Sequence, residues 1–136
     1  MKVKVSRKAH FNSAHRLYNS NWSDEKNKDT FGKCNNQNYH GHNYDLIVSV
    51  TGLIDPETGY VMDVSILKNI IKDHIESVLD HKNLNLDVPY FKDIIPSAEN
   101  ISIFIYDIIK THIKNDLELE VVLYETPRNF VTYKGK

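Results

Sequence analysis

The spacing of apolar residues changes twice along this chain, and the order of the changes limits the folds open to it. Val3, Val5, Ala9 and Phe11 alternate with Lys4, Ser6, Lys8 and His10, with Arg7 on the apolar side. Successive strand residues point to opposite faces, so this pattern predicts a half-buried strand. Tyr44, Leu46, Val48 and Val50 repeat it against Asp45, Ser49 and Thr51, interrupted only by Ile47. The spacing then turns helical. Behind the N-cap Asp63, positions Ile66, Ile70, Ile71, His74, Ile75, Val78 and Leu79 share one face, predicting a helix to about Asp80. Pro96 and Ser97 open a second helix with the stripe Ile101, Phe104, Ile105, Ile108 and Ile109. Alternation returns at Leu117, Leu119, Val121 and Leu123, and a turn at Pro127-Arg128-Asn129 leads to a fourth strand over Phe130 to Tyr133. The order ββααββ predicts an α+β fold: a four-stranded antiparallel sheet with two helices on one face.

At 136 residues, the span 1–136 suits one domain with a real core. The free face of such a sheet is expected to carry Val122, Tyr124, Val131 and Tyr133. Apolar residues there, with two open edges, predict a homo-oligomer. Two connectors carry no period. Tyr18 to Asn38 is a long polar stretch, expected to be a functional loop, and Lys82 to Asp93 is a shorter connector carrying Pro89.

A formal net charge of −1 gives no reason to expect nucleic acid or an anionic membrane as partner. No stretch approaches the length of a membrane span. The single cysteine forms no intrachain disulfide, and Met1 to Val5 lacks the apolar run of a secretion signal. A cytoplasmic location is the expectation.

Chemistry concentrates in the run from Cys34 to Tyr44. His40 and His42 flank Gly41, and in a strand they point to one face. Neutral imidazole is a common zinc ligand, and a catalytic zinc takes three protein ligands and keeps one position open. His15 follows the first strand as His40 and His42 precede the second, so paired strands would gather all three. Cys34 is a candidate base, nucleophile or ligand if a cation lowers its pKa, and otherwise a structural thiol. Asp80-His81 ends the first helix, either as a surface pair or as a carboxylate holding an imidazole. Glu125 is either a strand-end charge or a two-oxygen acceptor for a planar ligand. Glu99 follows the Ser97 cap and is open to being only a first-turn acid. His10, His74 and His112 read as histidines without a chemical role, His74 and His112 lying in helix patterns with no partner nearby in sequence.

The chain resembles the 6-pyruvoyl-tetrahydropterin synthase family over nearly its whole length. The likeness runs through Phe11-Asn12-Ser13-Ala14-His15-Arg16-Leu17, Phe31-Gly32-Lys33-Cys34-Asn35-Asn36 and His40-Gly41-His42-Asn43-Tyr44. It continues in Ile54-Asp55-Pro56-Glu57-Thr58-Gly59, Leu79-Asp80-His81-Lys82-Asn83-Leu84, Asp87-Val88-Pro89-Tyr90-Phe91, Glu99-Asn100 and Tyr124-Glu125-Thr126. The resemblance implies a tunnelling fold, in which trimers join their sheets into a barrel and two trimers stack as a homohexamer with active sites between subunits. It implies conversion of 7,8-dihydroneopterin triphosphate to 6-pyruvoyl-tetrahydropterin with loss of triphosphate. It also implies zinc on His15, His40 and His42, with Cys34 as general base and Asp80 and His81 as a proton-relay pair. Glu125 would anchor the pterin, with Glu99 and Ser97 assisting at the same ring.

Two positions depart from the family's pattern. Ala98 follows Ser97 where a second hydroxyl is common, and Tyr39 precedes the histidine pair where a smaller residue is usual. A related activity, 6-carboxytetrahydropterin synthase of queuosine biosynthesis, uses a similar zinc site. Its cysteine typically stands nearer the His-Gly-His, whereas five residues separate Cys34 from His40 here. A non-catalytic zinc or pterin-binding module is a third reading, and would use Cys34 to close the metal site. Arg7, Lys8, Arg16, Lys26, Lys28 and Lys33 are available for a triphosphate, and their spacing does not say which converge.

Overall fold

The computed structural model describes residues 1–136. Two long strands, β1 (Lys2–His15) and β2 (His40–Leu53), pair antiparallel along their full length. β4 (Glu118–Tyr124) adds to the other side of β2, and β5 (Phe130–Tyr133) closes that edge. The sheet order is β3 (Lys82–Asn83), then β1, β2, β4 and β5. The expected four antiparallel strands are therefore corrected to five in a mixed sheet. β3 (Lys82–Asn83) lies parallel to Ser13 and Ala14 at the outer edge of β1. Two residues are too few to carry a hydrophobic period, which is why the connector gave no strand signal.

α2 (Val64–Ile71) starts where expected, with the Asp63 side chain accepting the Ser65 N–H. It does not continue as one regular helix. A π-helical turn over Lys72–Glu76 precedes the short α3 (Ser77–Leu79), and the Ser77 N–H reaches back to the Lys72 carbonyl. The inward face is set by Leu67, Ile70, Ile71, Ile75 and Leu79, while Ile66 is 54% exposed. α4 (Leu84–Asp87) and a 3-10 turn over Pro89–Lys92 fill the connector, and Phe91 drops into the core. α5 (Ala98–Lys110) begins with Ser97 accepting the Asn100 N–H and lays Ile101, Phe104, Ile105 and Ile109 on the sheet.

The polar stretch before Cys34 is not the long loop expected. It holds α1 (Asp24–Phe31), followed by a 3-10 turn over Gly32–Asn35. This helix has no apolar stripe to announce it. Its fixings are polar: Ser23 caps Lys26, and buried Asn27 bonds the backbone of Asn19 and Ser23 through its side chain.

One sheet face packs on the helices: Phe11 of β1, then Tyr44, Leu46, Val48 and Val50 of β2, then Leu119, Val121 and Leu123 of β4. Each fully buried large side chain contributes about 1.5–3 kcal/mol. The other face carries Lys2 paired with Glu118, Lys4 and Lys134 with Glu120, and Ser6 bonded to Ser49. Val122 and Tyr124 lie on that face as expected. Val131 and Tyr133 do not, since Val131 packs on the core and Tyr133 meets Tyr106 of α5 edge to face. Pairing of Val121 with Tyr133 and Leu123 with Val131 fixes them on the helix side.

Candidate metal and catalytic site

Strand register builds the site. The β1–β2 ladder places Phe11 opposite Tyr44, Ser13 opposite His42 and His15 opposite His40. Opposed residues of an antiparallel pair point to the same face, and diagonal neighbours remain within reach of a ring. His15, His40 and His42 consequently meet at one end of the helix-covered face. Their ring centroids are 4.6, 5.1 and 4.9 Å apart, and one nitrogen from each lies within 4.8 Å of the others.

The hydrogen bonding around them is unusual. Nδ1 of buried His15 donates to the Pro96 carbonyl at 2.7 Å. That bond fixes the tautomer and leaves the Nε2 lone pair facing the cluster. His15 Nε2, both ring nitrogens of His40 and His42 Nε2 are buried without a hydrogen-bond partner. Orphaned buried nitrogens cost about 1–3 kcal/mol each, so convergence of several on one point calls for a ligand. Burial lowers the His15 pKa from 6.5 to about 4, with His40 and His42 adding to the effect against the opposing Pro96 bond. Burial, then His42, also lowers that of His40. Neutral imidazoles with converging lone pairs suit a divalent transition metal, and this donor set suits zinc.

Two further groups approach the cluster. Glu125 lies one residue beyond the Asp45–Tyr124 pair and on the same face as Leu123. Its oxygens are 4.0 Å from His15 Nε2 and 3.9 Å from His42 Nε2, too long for hydrogen bonds. Cys34 comes from the 3-10 turn after α1. The Leu17 N–H holds the Cys34 carbonyl at 2.8 Å, and Arg16 Nε holds that of Asn35 at 2.9 Å. Burial, then the Glu125 carboxylate, raises the Cys34 pKa. Buried Tyr44 also has its phenol pushed upward, by burial and then by Glu125 and Cys34. The thiol, the carboxylate and the histidine cluster thus share one electrostatic neighbourhood.

Asp80 and His81 lie elsewhere. Ser13 Oγ donates to the Leu79 carbonyl, Asp80 Oδ1 accepts the Asn12 N–H at 2.8 Å, and the His81 N–H reaches the Asn12 carbonyl at 2.7 Å. The dyad is thereby pinned to the outer edge of β1. Asp80 Oδ2 sits 2.9 Å from His81 Nδ1, and the His81 ring is 79% exposed. The Asn12 N–H, and then His81, hold the Asp80 carboxyl below its ordinary range. His81 takes φ 60°, a left-handed conformation that costs a non-glycine residue about 1–2 kcal/mol. A cleft of about 530 Å³ has His81 and His42 in its lining, and Cys34 is not part of it.

Ser97 and Glu99 form neither a hydrogen bond nor an ion pair with Glu125 or the histidines. The Ser97 hydroxyl caps α5, and Glu99 is exposed in its first turn. A Cβ on Gly41 would sit 3.5 Å from the Ser13 carbonyl, an ordinary contact, so the neighbouring strand does not require a glycine there. One pairing was not visible in the sequence. His74 and His112 stack at 3.9 Å, because the π-helical turn and the end of α5 meet there.

The chain is similar to known proteins along nearly its whole length. The sequence profile described as 6-pyruvoyl tetrahydropterin synthase matches residues 4–136. Human 6-pyruvoyl tetrahydrobiopterin synthase is 46% identical over 134 residues, covering 98% of this chain and 92% of the human one. The dihydroneopterin monophosphate aldolase of Pyrococcus furiosus is 31% identical over 120 residues, covering 88% and 86%. The solved 6-pyruvoyl tetrahydropterin synthase of Caenorhabditis elegans superimposes with a TM-score of 0.94 at 40% identity, covering 100% of this chain and 97% of that one. The chain belongs to the 6-pyruvoyl tetrahydropterin synthase family.

Proposed function

We propose that the chain is a zinc-dependent lyase that converts 7,8-dihydroneopterin triphosphate to 6-pyruvoyl-tetrahydropterin and triphosphate. One observation carries the reading: buried His15 and half-buried His40 and His42 turn unpartnered nitrogens toward one point, next to the Glu125 carboxylate, whose charge also acts on the Cys34 thiol. The names of the relatives support a pyruvoyl-tetrahydropterin product. The reaction balances without an external oxidant or reductant. Side-chain carbons are oxidised to carbonyls while the ring gains the hydrogens that take it from the dihydro to the tetrahydro level.

His15, His40 and His42 would hold the zinc. When bound, the ion supplies a Lewis acid that polarises the side-chain oxygens of the substrate and acidifies the adjacent C–H bonds. Cys34 takes the proton from carbon, through a sulfur held at the site by the Leu17 bond to its carbonyl. Since burial and Glu125 both oppose its ionisation, the thiolate needs a compensating cation nearby. Glu125 offers two oxygens to the N–H edge of the pterin. Ser97 and Glu99 assist at the same ring from the start of α5.

Asp80 and His81 relay protons. The carboxylate holds the imidazole by Nδ1, leaving Nε2 to give or take a proton. Their outward position supports a site completed between copies of the chain, as in a homohexamer built of two trimers, because within one chain no hydrogen bond or shared cleft joins them to Cys34. No helix is long and apolar enough to cross a membrane, which fits the cytoplasmic location expected for this chemistry. Residues 1–136 act as a single catalytic domain in this reading.

Incubation of zinc-loaded protein with 7,8-dihydroneopterin triphosphate tests the proposal. The expected product has the mass of the substrate less triphosphate, and free triphosphate accumulates with it. A carboxypterin product with acetaldehyde would instead assign the related 6-carboxytetrahydropterin activity. Zinc bound tightly with no pterin consumed would leave only a binding module.

A further inference from the structure

Arg16 follows His15 directly, and four contacts hold it in place. Its N–H donates to Asn85 Oδ1 at 2.8 Å, and Asn85 Nδ2 donates to its carbonyl at 3.0 Å. Its Nε donates to the Asn35 carbonyl at 2.9 Å, and its guanidinium carbon lies 4.1 Å from the Tyr18 ring centroid. These contacts occupy Nε and the π-face. Both terminal nitrogens have no hydrogen-bond or ion-pair partner, and no carboxylate lies within 4.0 Å of them. A guanidinium already fixed in this way has given up much of its rotamer freedom, and its fork of N–H donors matches phosphate geometry.

The surroundings fit that ligand. Arg16, Lys28, Lys33 and Asn35 line a cleft of about 850 Å³, with Asp24 and Asp29 also in its wall. Three cations against two carboxylates leave one net positive charge, so selection rests on the placed fork and not on bulk charge. Asn35 Oδ1 is buried without a partner, and exchanging the amide oxygen and nitrogen would make that atom a further donor in a residue that lines the cleft. Arg7 and Lys8 are not in this cleft; they lie against Lys68 and Lys72 on the other side of β1. The position is also suited to the chemistry. Arg16 and Leu17 grip the carbonyls of Asn35 and Cys34, so the cleft is tied to the turn that carries the thiol. In the proposed elimination, the phosphate leaves from the carbon next to the one that loses its proton.

We propose that Arg16, with Lys28 and Lys33, holds the triphosphate of the substrate and neutralises it as it leaves. This rests on the substrate proposed above, but phosphate binding can be measured without turnover. Inorganic tripolyphosphate would be titrated calorimetrically into zinc-loaded wild type, Arg16→Gln and Arg16→Lys, with metal content checked in each. Wild type should bind it, Arg16→Gln should bind about ten- to a hundredfold more weakly, and Arg16→Lys should fall between. KM for the pterin triphosphate should rise in parallel, while affinity for unphosphorylated dihydroneopterin stays unchanged. No tripolyphosphate binding by wild type, or equal binding by wild type and Arg16→Gln with equal zinc, overturns the subsite. If tripolyphosphate binding depends on Arg16 but no pterin is consumed, the subsite stands and the catalytic reading fails.

Discussion

Acidifying the metal-free chain should unfold it through His15. The ring is buried and neutral, and its pKa falls from 6.5 to about 4 on folding. Between those values the unfolded chain binds a proton that the folded chain refuses, so stability is full above about 6.5 and is lost as pH falls toward about 4. At about 1.4 kcal/mol per pH unit, the window costs roughly 3 kcal/mol. His40, lowered by burial and His42, acts in the same sense. Cys34 and Tyr44 are shifted upward and stay protonated throughout the window. The assay is urea unfolding of chelator-treated protein at fixed concentration. With an m-value of about 2 kcal/mol/M, the midpoint should drop by about 1–1.5 M between neutral and mildly acidic pH. His15→Asn, whose amide can still reach the Pro96 carbonyl, should remove most of that drop. A wild-type midpoint that holds or rises on acidification would refute the reasoning, as would an equally steep drop in His15→Asn. Saturating zinc should oppose the loss, since each ion holds the rings neutral. Its stabilisation is about 2.7 kcal/mol at a hundredfold excess over Kd.

Cys34→Ala should keep its zinc while turnover falls by about 10²–10⁴, and parallel metal and rate measurements check both halves. Tyr39 precedes His40 with φ 68°, a conformation glycine adopts freely, so Tyr39→Gly should raise the unfolding free energy by about 1 kcal/mol in a urea titration. Asp80→Asn should lower turnover with little change in zinc content, because the dyad makes no hydrogen bond or ion pair with the three histidines while the amide oxygen can still accept the Asn12 N–H.

The parts of the fold that bury a regular face were legible in the sequence. β1, β2, β4 and α5 each carry an apolar period, and the pairing of His15 with His40 follows once β1 and β2 are neighbours. The parts held by polar contacts were not. α1 is fixed by Ser23 and Asn27, and β3 by a two-residue ladder and the Asp80 bond to β1. Helical phase differs from the expected one by a residue at Ile66, which is exposed while Leu67 is buried. Val131 and Tyr133 were placed on the wrong face because β5 is too short to show which of its faces is apolar. At the candidate site, sequence named the groups near the cluster but not their separation. That Asp80 and His81 lie beyond β1 depends on the left-handed turn at His81, which a histidine does not advertise.

Cobalt substitution tests most directly whether three imidazoles hold one catalytic ion with an open position. Cobalt should bind once per chain and give the intense visible bands of a near-tetrahedral site with nitrogen donors. Replacing His40 by alanine should abolish those bands, and Cys34→Ala should leave them in place. A strong sulfur-to-cobalt charge-transfer band that disappears in Cys34→Ala would instead make the thiol a ligand and the site closed.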